Sequence, residues 1–189
     1  HLAKGGAWPY FWTSTGSGPP PADERPMAII VRGVFGEPFR ARGSVVLTQR
    51  KEDLLLGLQY LQHLLDDYGT IHLILADRQH PLAADVHDAT VGKAWVRPHF
   101  LPIVYPVENA QMLCRRLKEE DSESLKGAPV WVTDIQAVAA MTDCLQRGVP
   151  VHRRVMAIGG PACREPMHLQ VRVGTPLSHL KAISEMDKN

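Results

Sequence analysis

The stretch "PVWVTDIQAVAAMTDCLQRGVPVHRRVMAI", residues 129–158, contains one complete strand–helix–strand pattern. Its opening, "PVWVT", is apolar and rich in β-branched side chains, which predicts a buried strand. Thr133 and Gln136 have the spacing of a capping box, which predicts that a helix opens here. Gly148 stands where many helices end in a left-handed residue. "RRVMAI", residues 153–158, predicts the next strand, so the stretch indicates an α/β fold.

The same alternation of strands and helices extends toward the N-terminus. "MAIIVR", residues 27–32, and "TIHLIL", residues 70–75, are apolar runs that predict buried strands. Between them, residues 50–69 predict a helix with acidic residues near its start and Gly69 near its end. Leucines at helical spacing form the apolar stripe of this helix: Leu54, Leu58, Leu61 and Leu65.

The pattern between residues 80 and 121 is less regular. We expect short strands near Val86 and across residues 100–104, in a region rich in proline and histidine. Residues 107–121 then predict a helix that buries four side chains: Ala110, Leu113, Cys114 and Leu117. Strands alternating with helices predict a mainly parallel sheet with flanking helices over residues 1–150.

The composition is that of an ordinary soluble globular protein. The 189 residues are 44% hydrophobic and 22% charged, and the formal net charge of +1 gives no support for nucleic-acid binding. No apolar run approaches the roughly 20 residues that a membrane-spanning helix needs. The three cysteines include no C-x-x-C pair, so we expect reduced thiols.

Sequence motifs for common catalytic or metal sites are absent. The nine histidines include no H-E-x-x-H, and neither a G-x-S-x-G elbow nor a phosphate-binding P-loop occurs. The glycines in residues 33–43 follow a predicted strand, but they lack the spacing of a dinucleotide-binding loop. The sequence therefore predicts no catalytic residue and no metal ligand.

The C-terminal residues predict a second, smaller unit. Residues 167–173 have the period-2 alternation of a half-buried strand, with apolar Leu169, Val171 and Val173. Residues 174–176, "GTP", favour a turn, a helix cap and a first helical residue. We expect a strand–turn–strand unit with residues 153–158, covered by a short helix over residues 176–183 that folds Leu177 and Leu180 back onto it.

Several segments resemble one family of respiratory proteins. Residues 153–180 resemble the segment that enters the SLBB domain in the A-type subunit of the Na+-translocating NADH:quinone oxidoreductase and in the C-type subunit of the Rnf complex. Residues 105–117 and 127–155 are similar to that family's Tyr-Pro turn with its helix and to its last strand–helix–strand unit. The resemblance implies a Rossmann-like domain over residues 1–150 and the beginning of a β-grasp-like SLBB module over residues 151–189.

The resemblance also bears on cofactors. The same scaffold carries FMN and binds NADH in the complex I flavoprotein subunit, through a glycine-rich loop. Gly5 and Gly6 stand at the position of that loop, but Ala7, Trp8, Pro9 and Tyr10 replace its continuation, and their rings would keep a phosphate from the backbone. This implies a vestigial flavin loop and no cofactor in this chain. Three neighbouring rings either pack over the sheet edge or contact a quinone or a partner subunit: Trp8, Phe11 and Trp12.

For function, the resemblance implies a middle piece of a peripheral oxidoreductase subunit on the cytoplasmic face of the inner membrane. Such a subunit would contribute to ubiquinone interaction and to docking with other subunits of a sodium-transporting complex, without catalytic residues of its own. Two alternatives remain open. One is an electron-transfer subunit of an Rnf-type complex that binds FMN and NADH, and the other is an interaction scaffold without a small-molecule ligand.

Overall fold

A five-stranded sheet with the spatial order β1–β5–β2–β3–β4 forms the centre of the chain. The computed structural model describes residues 1–14, 18–76, 80–120, 125 and 127–183. The strands are β1 (Trp12–Thr13), β2 (Ala28–Arg32), β3 (Thr70–Leu75), β4 (Val96–Phe100) and β5 (Val130–Asp134). All neighbours pair in parallel except β1, which runs antiparallel to β5 at one edge. The predicted α/β fold with a mainly parallel sheet is confirmed.

Helices flank the sheet, and a two-stranded hairpin follows it. The helices are α1 (Gly43–Gln62), α2 (Pro81–Thr90), α3 (Ala110–Glu120), α4 (Ile135–Arg147) and α5 (Leu177–Ile183). The hairpin consists of β6 (Arg153–Ile158) and β7 (Met167–Arg172), which pair antiparallel. In the described ranges, no helix is both long enough and apolar enough to cross a membrane.

The two faces of the sheet pack against different helices because side chains alternate along each strand. In β2, Ile29 and Val31 face one core, which α1, α2 and α4 complete. Ala28 and Ile30 face a second core, which α3 completes with Leu113, Cys114 and Leu117. Both faces of β2 are therefore buried, and this explains why its sequence is a continuous apolar run.

The expected strands near Val86 and across residues 100–104 are wrong. Val86 is buried in α2, where Ala83 and Thr90 share its face at helical spacing. Pro81 occupies the first turn of this helix, a position that needs no backbone donor. The fourth strand lies earlier, at Val96–Phe100, and it contains a proline. Proline is tolerated there because β4 is the edge strand of the described sheet, and an edge strand has a neighbouring strand on one side only.

Two helix boundaries also differ from the prediction. Helix α1 begins at Gly43 and is kinked at Arg50, whose φ of −127° is not helical, so the predicted start near residue 50 marks its second segment. It ends at Gln62, before Gly69, so Leu65 of the predicted stripe lies outside the helix, although its side chain is buried. Helix α4 is capped by Asp134 rather than Thr133, because the Ala137 N–H donates to Asp134 Oδ1 at 2.8 Å. The expected end at Gly148 is confirmed by its left-handed φ of 64°.

The hairpin is attached to the N-terminal end of α4. The Gln136 side chain exchanges two hydrogen bonds with the backbone of Val155, at 2.8 and 3.0 Å. Helix α5 forms where the sequence predicted it. Its Leu180 is buried, but Leu177 is 77% exposed, so the expectation that both leucines cover the hairpin is wrong for Leu177. The assignment of residues 151–189 to an SLBB module stays a prediction.

Helices α1 and α4 pack in close contact through Gly57. A Cβ atom placed there would lie 2.6 Å from Val138 Cγ1 and 2.7 Å from the Val138 carbonyl oxygen. Real carbon atoms do not approach backbone oxygen that closely, so only glycine allows this distance between the helices. Beside this contact, Arg50 donates to Asp53 and Asp143 at 2.6 and 2.7 Å and links the kink of α1 to α4.

We predict that Gly57→Ala destabilises the fold although alanine is the better helix former. Alanine in a helix normally stabilises by about 1 kcal/mol relative to glycine. Overpacking against Val138 should outweigh this gain and lower the free energy of unfolding by about 1–3 kcal/mol. Urea unfolding followed by circular dichroism measures the change. Gln59→Ala, at an exposed site of the same helix, is the control and should stay within about 0.5 kcal/mol. Equal stability of both variants would contradict the packing argument.

Candidate functional site

The strand order changes direction at β2, which has β3 on one side and β5 on the other. The connections on the two sides run over opposite faces of the sheet, with α1 on one face and α3 on the other. In open sheets of this kind, ligands bind in the crevice outside the carboxyl ends of the strands, at the point of reversal. The carboxyl end of β2 is therefore the expected place for a site.

A cleft of about 650 Å³ opens at this place, and we call it the switch-point cleft. Its volume lies within the range typical of small-molecule sites. Apolar side chains supply much of its lining: Val34, Phe35, Phe39, Leu47, Leu75 and Ile103. Polar side chains also line it: Glu37, Arg40, Arg42, Ser44 and His80. Such a surface suits a ligand with an apolar body and a few hydrogen-bonding groups.

One wall of the switch-point cleft is the loop of residues 33–42, which connects β2 to α1. The Gly33 N–H donates to the Ile74 carbonyl oxygen at 2.7 Å and so extends the β2–β3 pairing into the loop. Further along, the Arg40 guanidinium lies over the Phe35 ring at 5.1 Å and 3.6 Å from the Glu37 carboxylate. The charge of Arg40 is therefore partly balanced by a neighbour in its own loop.

Glu108 fixes this loop from outside. Its carboxylate accepts the Gly36 N–H at 2.9 Å and the Glu37 N–H at 2.8 Å, one on each oxygen. Burial alone would raise the pKa of this carboxyl, but the N–H donors of Gly36 and Glu37 and the nearby Arg40 charge hold the pKa below its ordinary value. Glu108 is only 8% exposed and is therefore a buried, ionised group.

Residues 101–107 support the position of Glu108. A Cβ atom on Gly36 would lie 2.6 Å from the Tyr105 nitrogen, so glycine lets the two loops touch through their backbones. The Glu108 carbonyl oxygen also accepts a hydrogen bond from Arg32 Nη1 at 3.0 Å. Because Arg32 is the last residue of β2, this bond ties Glu108 to the carboxyl end of the central strand.

A second group of charges lies at the carboxyl end of β5. Asp134 Oδ2 accepts from Arg154 Nη2 at 2.8 Å, and the Arg154 guanidinium lies 4.7 Å from the Tyr10 ring centre. Arg32 Nε donates to the Thr133 carbonyl oxygen at 3.3 Å, and burial lowers the pKa of this guanidinium. In the part of the chain that the structure describes, Thr133 Oγ1 and Arg154 Nη1 are buried without a hydrogen-bond partner.

The predicted loop glycines are engaged with other parts of the chain. The Gly5 and Gly6 N–H groups donate to the carbonyl oxygens of His1 and Ala3, at 2.9 and 3.1 Å. The Gly5 carbonyl oxygen accepts the Cys144 thiol at 3.3 Å. Neither glycine lines the switch-point cleft as the described residues define it. That these positions are the remnant of a flavin loop, and that the chain carries no cofactor, stays a prediction.

The N-terminal aromatic residues pack at the β1 edge of the sheet. Phe11 is fully buried, and Trp8 meets Trp131 edge to face with 5.5 Å between ring centres. Phe11 and Trp8 therefore pack at the sheet edge, and the alternative, a contact of these rings with a quinone or a partner subunit, stays a prediction. Trp12 remains 46% exposed. Among the described residues, no two cysteines form a disulfide, and no group of three or more metal-ligating side chains occurs there.

Sequence reasoning missed Glu108 and Arg40. The glycines after β2 were a signal for a ligand-binding loop, but their spacing excluded a dinucleotide fingerprint and gave no reason to look for a partner carboxylate. Glu108 lies 72 residues from Gly36, and the sequence places it only at the start of the helix predicted over residues 107–121. The segment "YPVEN" does show an acidic residue beside a rigid turn, but it carries no signal of what that residue contacts.

We predict that Glu108 contributes to stability in a pH-dependent way. Because its pKa is lower in the folded than in the unfolded chain, its contribution is complete above about pH 4.5 and is lost as the pH falls through the folded-state pKa. Glu108→Gln should be less stable than the parent chain at pH 7 by about 1–3 kcal/mol. The difference should shrink as the pH falls below about 4.5 and through the lowered folded-state pKa, as urea unfolding at each pH would measure.

Glu119→Gln is the matched control for this experiment. It makes the same chemical change on α3, where the Glu119 side chain is 65% exposed and pairs with Arg115. Its stability should stay within about 0.5 kcal/mol of the parent chain. The lowered pKa would be contradicted if the difference in unfolding free energy between Glu108→Gln and the parent chain did not decrease on acidification.

Comparisons with known proteins agree with one another. A family model described as the NqrA second alpha/beta domain matches residues 1–149. The A-type subunit of the Na(+)-translocating NADH-quinone reductase of Rhodopirellula baltica is 30% identical over 95% of this chain, which covers 36% of that protein. The corresponding subunit of Glaesserella parasuis is 28% identical over 96% of this chain, which covers 38% of it.

A second group of relatives is more distant. The C-type subunit of the proton-translocating ferredoxin:NAD(+) oxidoreductase complex of Clostridium ljungdahlii is 25% identical over 82% of this chain. This chain spans 34% of that protein and somewhat more than a third of the NADH-quinone reductase relatives. The family match covers most of the chain and the whole of the parallel sheet. The chain belongs to the family of the NqrA second α/β domain.

Proposed function

We propose that this chain is part of the A-type subunit of a Na+-translocating NADH:quinone reductase and that it contributes a quinone-contacting cleft and a docking surface to the complex. The relatives that carry this name match 95–96% of the chain, which supports the assignment. In this proposal the subunit lies peripherally on the cytoplasmic face of the inner membrane, and its partners are the other subunits of the complex.

The observation that carries the proposal is the chemistry of the switch-point cleft. A quinone head group is a flat, uncharged ring with two carbonyl oxygens that accept hydrogen bonds. The cleft offers apolar walls at Phe35, Leu75 and Ile103, together with donors at Ser44 and Arg40. Its volume of about 650 Å³ accommodates a substituted ring and the first part of an isoprenoid tail.

The main alternative is an electron-transfer subunit that binds FMN and NADH, as the distant match to a C-type subunit suggests. Such a ligand needs free backbone N–H groups for its phosphate. The N–H groups of Gly5 and Gly6 already donate to His1 and Ala3. Those of Gly36 and Glu37 already donate to Glu108. These contacts favour the quinone, and flavin absorbance in protein purified from cells would favour the alternative.

We predict that a short-chain ubiquinone binds in the switch-point cleft. Addition of ubiquinone-1 to the ¹⁵N-labelled chain should shift the amide resonances of residues 33–47 and 75–76 in a saturable way. Phe39→Ala should weaken this binding about tenfold, because Phe39 lines the cleft and is exposed enough to be replaced without loss of the fold. Loss of its contact with the ring would account for about 1.4 kcal/mol.

Tyr68→Ala is the control for this titration, because Tyr68 is 89% exposed and lies at the opposite end of the sheet, before β3. It should bind ubiquinone-1 as the parent chain does. Saturable shifts confined to the surroundings of Trp8 and Trp131 would place the ligand elsewhere. The absence of any saturable shift would favour the scaffold without a small-molecule ligand.

The docking surface that we propose is the loop of residues 101–107, at the mouth of the same cleft. Ile103, Val104 and Tyr105 are consecutive apolar residues with exposed fractions of 60, 63 and 67%. Three adjacent exposed apolar side chains are unusual on a protein without a partner and mark an interaction surface. Their backbone is fixed against Gly36, so the surface is rigid before it meets a partner subunit.

We predict that Val104→Asp in the full-length subunit reduces its assembly into the complex at least tenfold. The substitution should not affect folding, because the side chain is exposed, but it would place a charge in an apolar interface. Copurification of the tagged subunit with the membrane complex measures the effect. Tyr68→Asp should assemble normally. Normal assembly of Val104→Asp would exclude this loop as the docking surface.

A further inference from the structure

Two consecutive backbone N–H groups in the wall of the switch-point cleft converge on one anionic group. The Gly36 N–H donates to Glu108 Oε2 at 2.9 Å, and the Glu37 N–H donates to Glu108 Oε1 at 2.8 Å. Successive N–H groups that point to one place are a common way for a backbone to bind a phosphate or a carboxylate. The loop that forms this wall therefore carries a pair of N–H donors suited to an anion, and Glu108, which does not itself line the cleft, occupies them.

The occupant is held firmly. Glu108 is 8% exposed, and its carbonyl oxygen is fixed by Arg32. The turn before it is closed by the Val107 N–H, which donates to the Val104 carbonyl oxygen at 2.8 Å. Backbone contact between Gly36 and Tyr105 holds this turn against the loop that carries the two donors. An external anion would have to displace the carboxylate and leave it buried without partners, which is strongly unfavourable.

The positive charges near the N–H pair are also engaged. Arg32 donates to the carbonyl oxygens of Glu108 and Thr133. Arg40 lies 3.6 Å from the Glu37 carboxylate and over the Phe35 ring. The two arginines nearest the N–H pair are therefore engaged by other groups of the chain.

We propose that Glu108 is a built-in substitute for a bound anion and that it restricts the switch-point cleft to ligands without a negatively charged group at this wall. The inference rests on the proposed function, because it defines which class of ligand the quinone-contacting cleft accepts. Uncharged quinones meet this condition, and nucleotides that present a phosphate to Gly36 and Glu37 do not. Glu108 is thus a specificity-determining residue that acts by occupying a site.

Removal of the Glu108 carboxylate should open the site to small anions. We expect Glu108→Ala to bind inorganic phosphate at least tenfold more tightly than the parent chain, as measured by isothermal titration calorimetry. Sodium formate, which replaces the lost carboxylate, should raise the melting temperature of Glu108→Ala more than sodium chloride of equal ionic strength. Glu119→Ala removes an exposed carboxylate from α3 and is the control. Its melting temperature should respond to each salt as that of the parent chain does.

Each outcome either supports the proposal or overturns it. If Glu108→Ala is folded but gains neither phosphate affinity nor a specific response to formate, the proposal is wrong. If the variant unfolds in chloride and folds in formate or phosphate, the added anion has replaced the side chain and the proposal is supported. Glu108→Ser provides a second, more polar replacement. Failure of both variants to fold in any of the three salts would overturn the proposal, because it requires that an added anion can substitute for Glu108.

The anion measurements do not depend on quinone binding. Phosphate and formate are not quinones, so a gain of anion binding in Glu108→Ala would support the inference even if ubiquinone-1 failed to bind the parent chain. Binding of ubiquinone-1 without any gain of anion binding would leave the proposed function intact and remove the role of Glu108. The two failures are therefore distinguishable.

Discussion

β2 lies between two parallel neighbours and beneath helices on both faces, so its backbone groups have no access to water and must pair with β3 and β5. Both of its faces must also be apolar, which fixes the positions of α1 and α4 on one side and of α3 on the other. The chain leaves β2 to form β3 on one side of it and later returns to form β5 on the other side. The crevice at the carboxyl end of β2 therefore follows from the same constraint.

Elements with a strong local pattern could be predicted from the sequence. The apolar runs of β2, β3 and β5 and the leucine stripe of α1 depend on near neighbours in the chain, and each was found. β4 was misplaced because an edge strand tolerates Pro98 and needs little apolar character. α2 was missed because its short apolar face, around Ala83 and Val86, resembles a strand when Pro81 is not recognised as the start of a helix.

The candidate site could not be predicted from the sequence for a different reason. Its main contact joins Glu108 to Gly36 and Glu37 across more than 70 residues, and no local pattern records such a pairing. The same holds for Arg32, which ends a buried strand and bonds to the carbonyl oxygens of Glu108 and Thr133. Sequence resemblance indicated the family, but the partners of the Glu108 carboxylate are brought together only by the fold.

The kink at Arg50 divides α1 into two helical segments. The shorter segment contributes Ser44 and Leu47 to the lining of the cleft. The longer segment packs closely against α4 around Gly57. The shorter segment therefore helps to shape the cleft, whereas the longer segment joins α1 to the helix behind it. Arg50, held by Asp53 and Asp143, lies at the junction of the two segments, so the shape of the cleft depends on an ion-paired residue that does not line it.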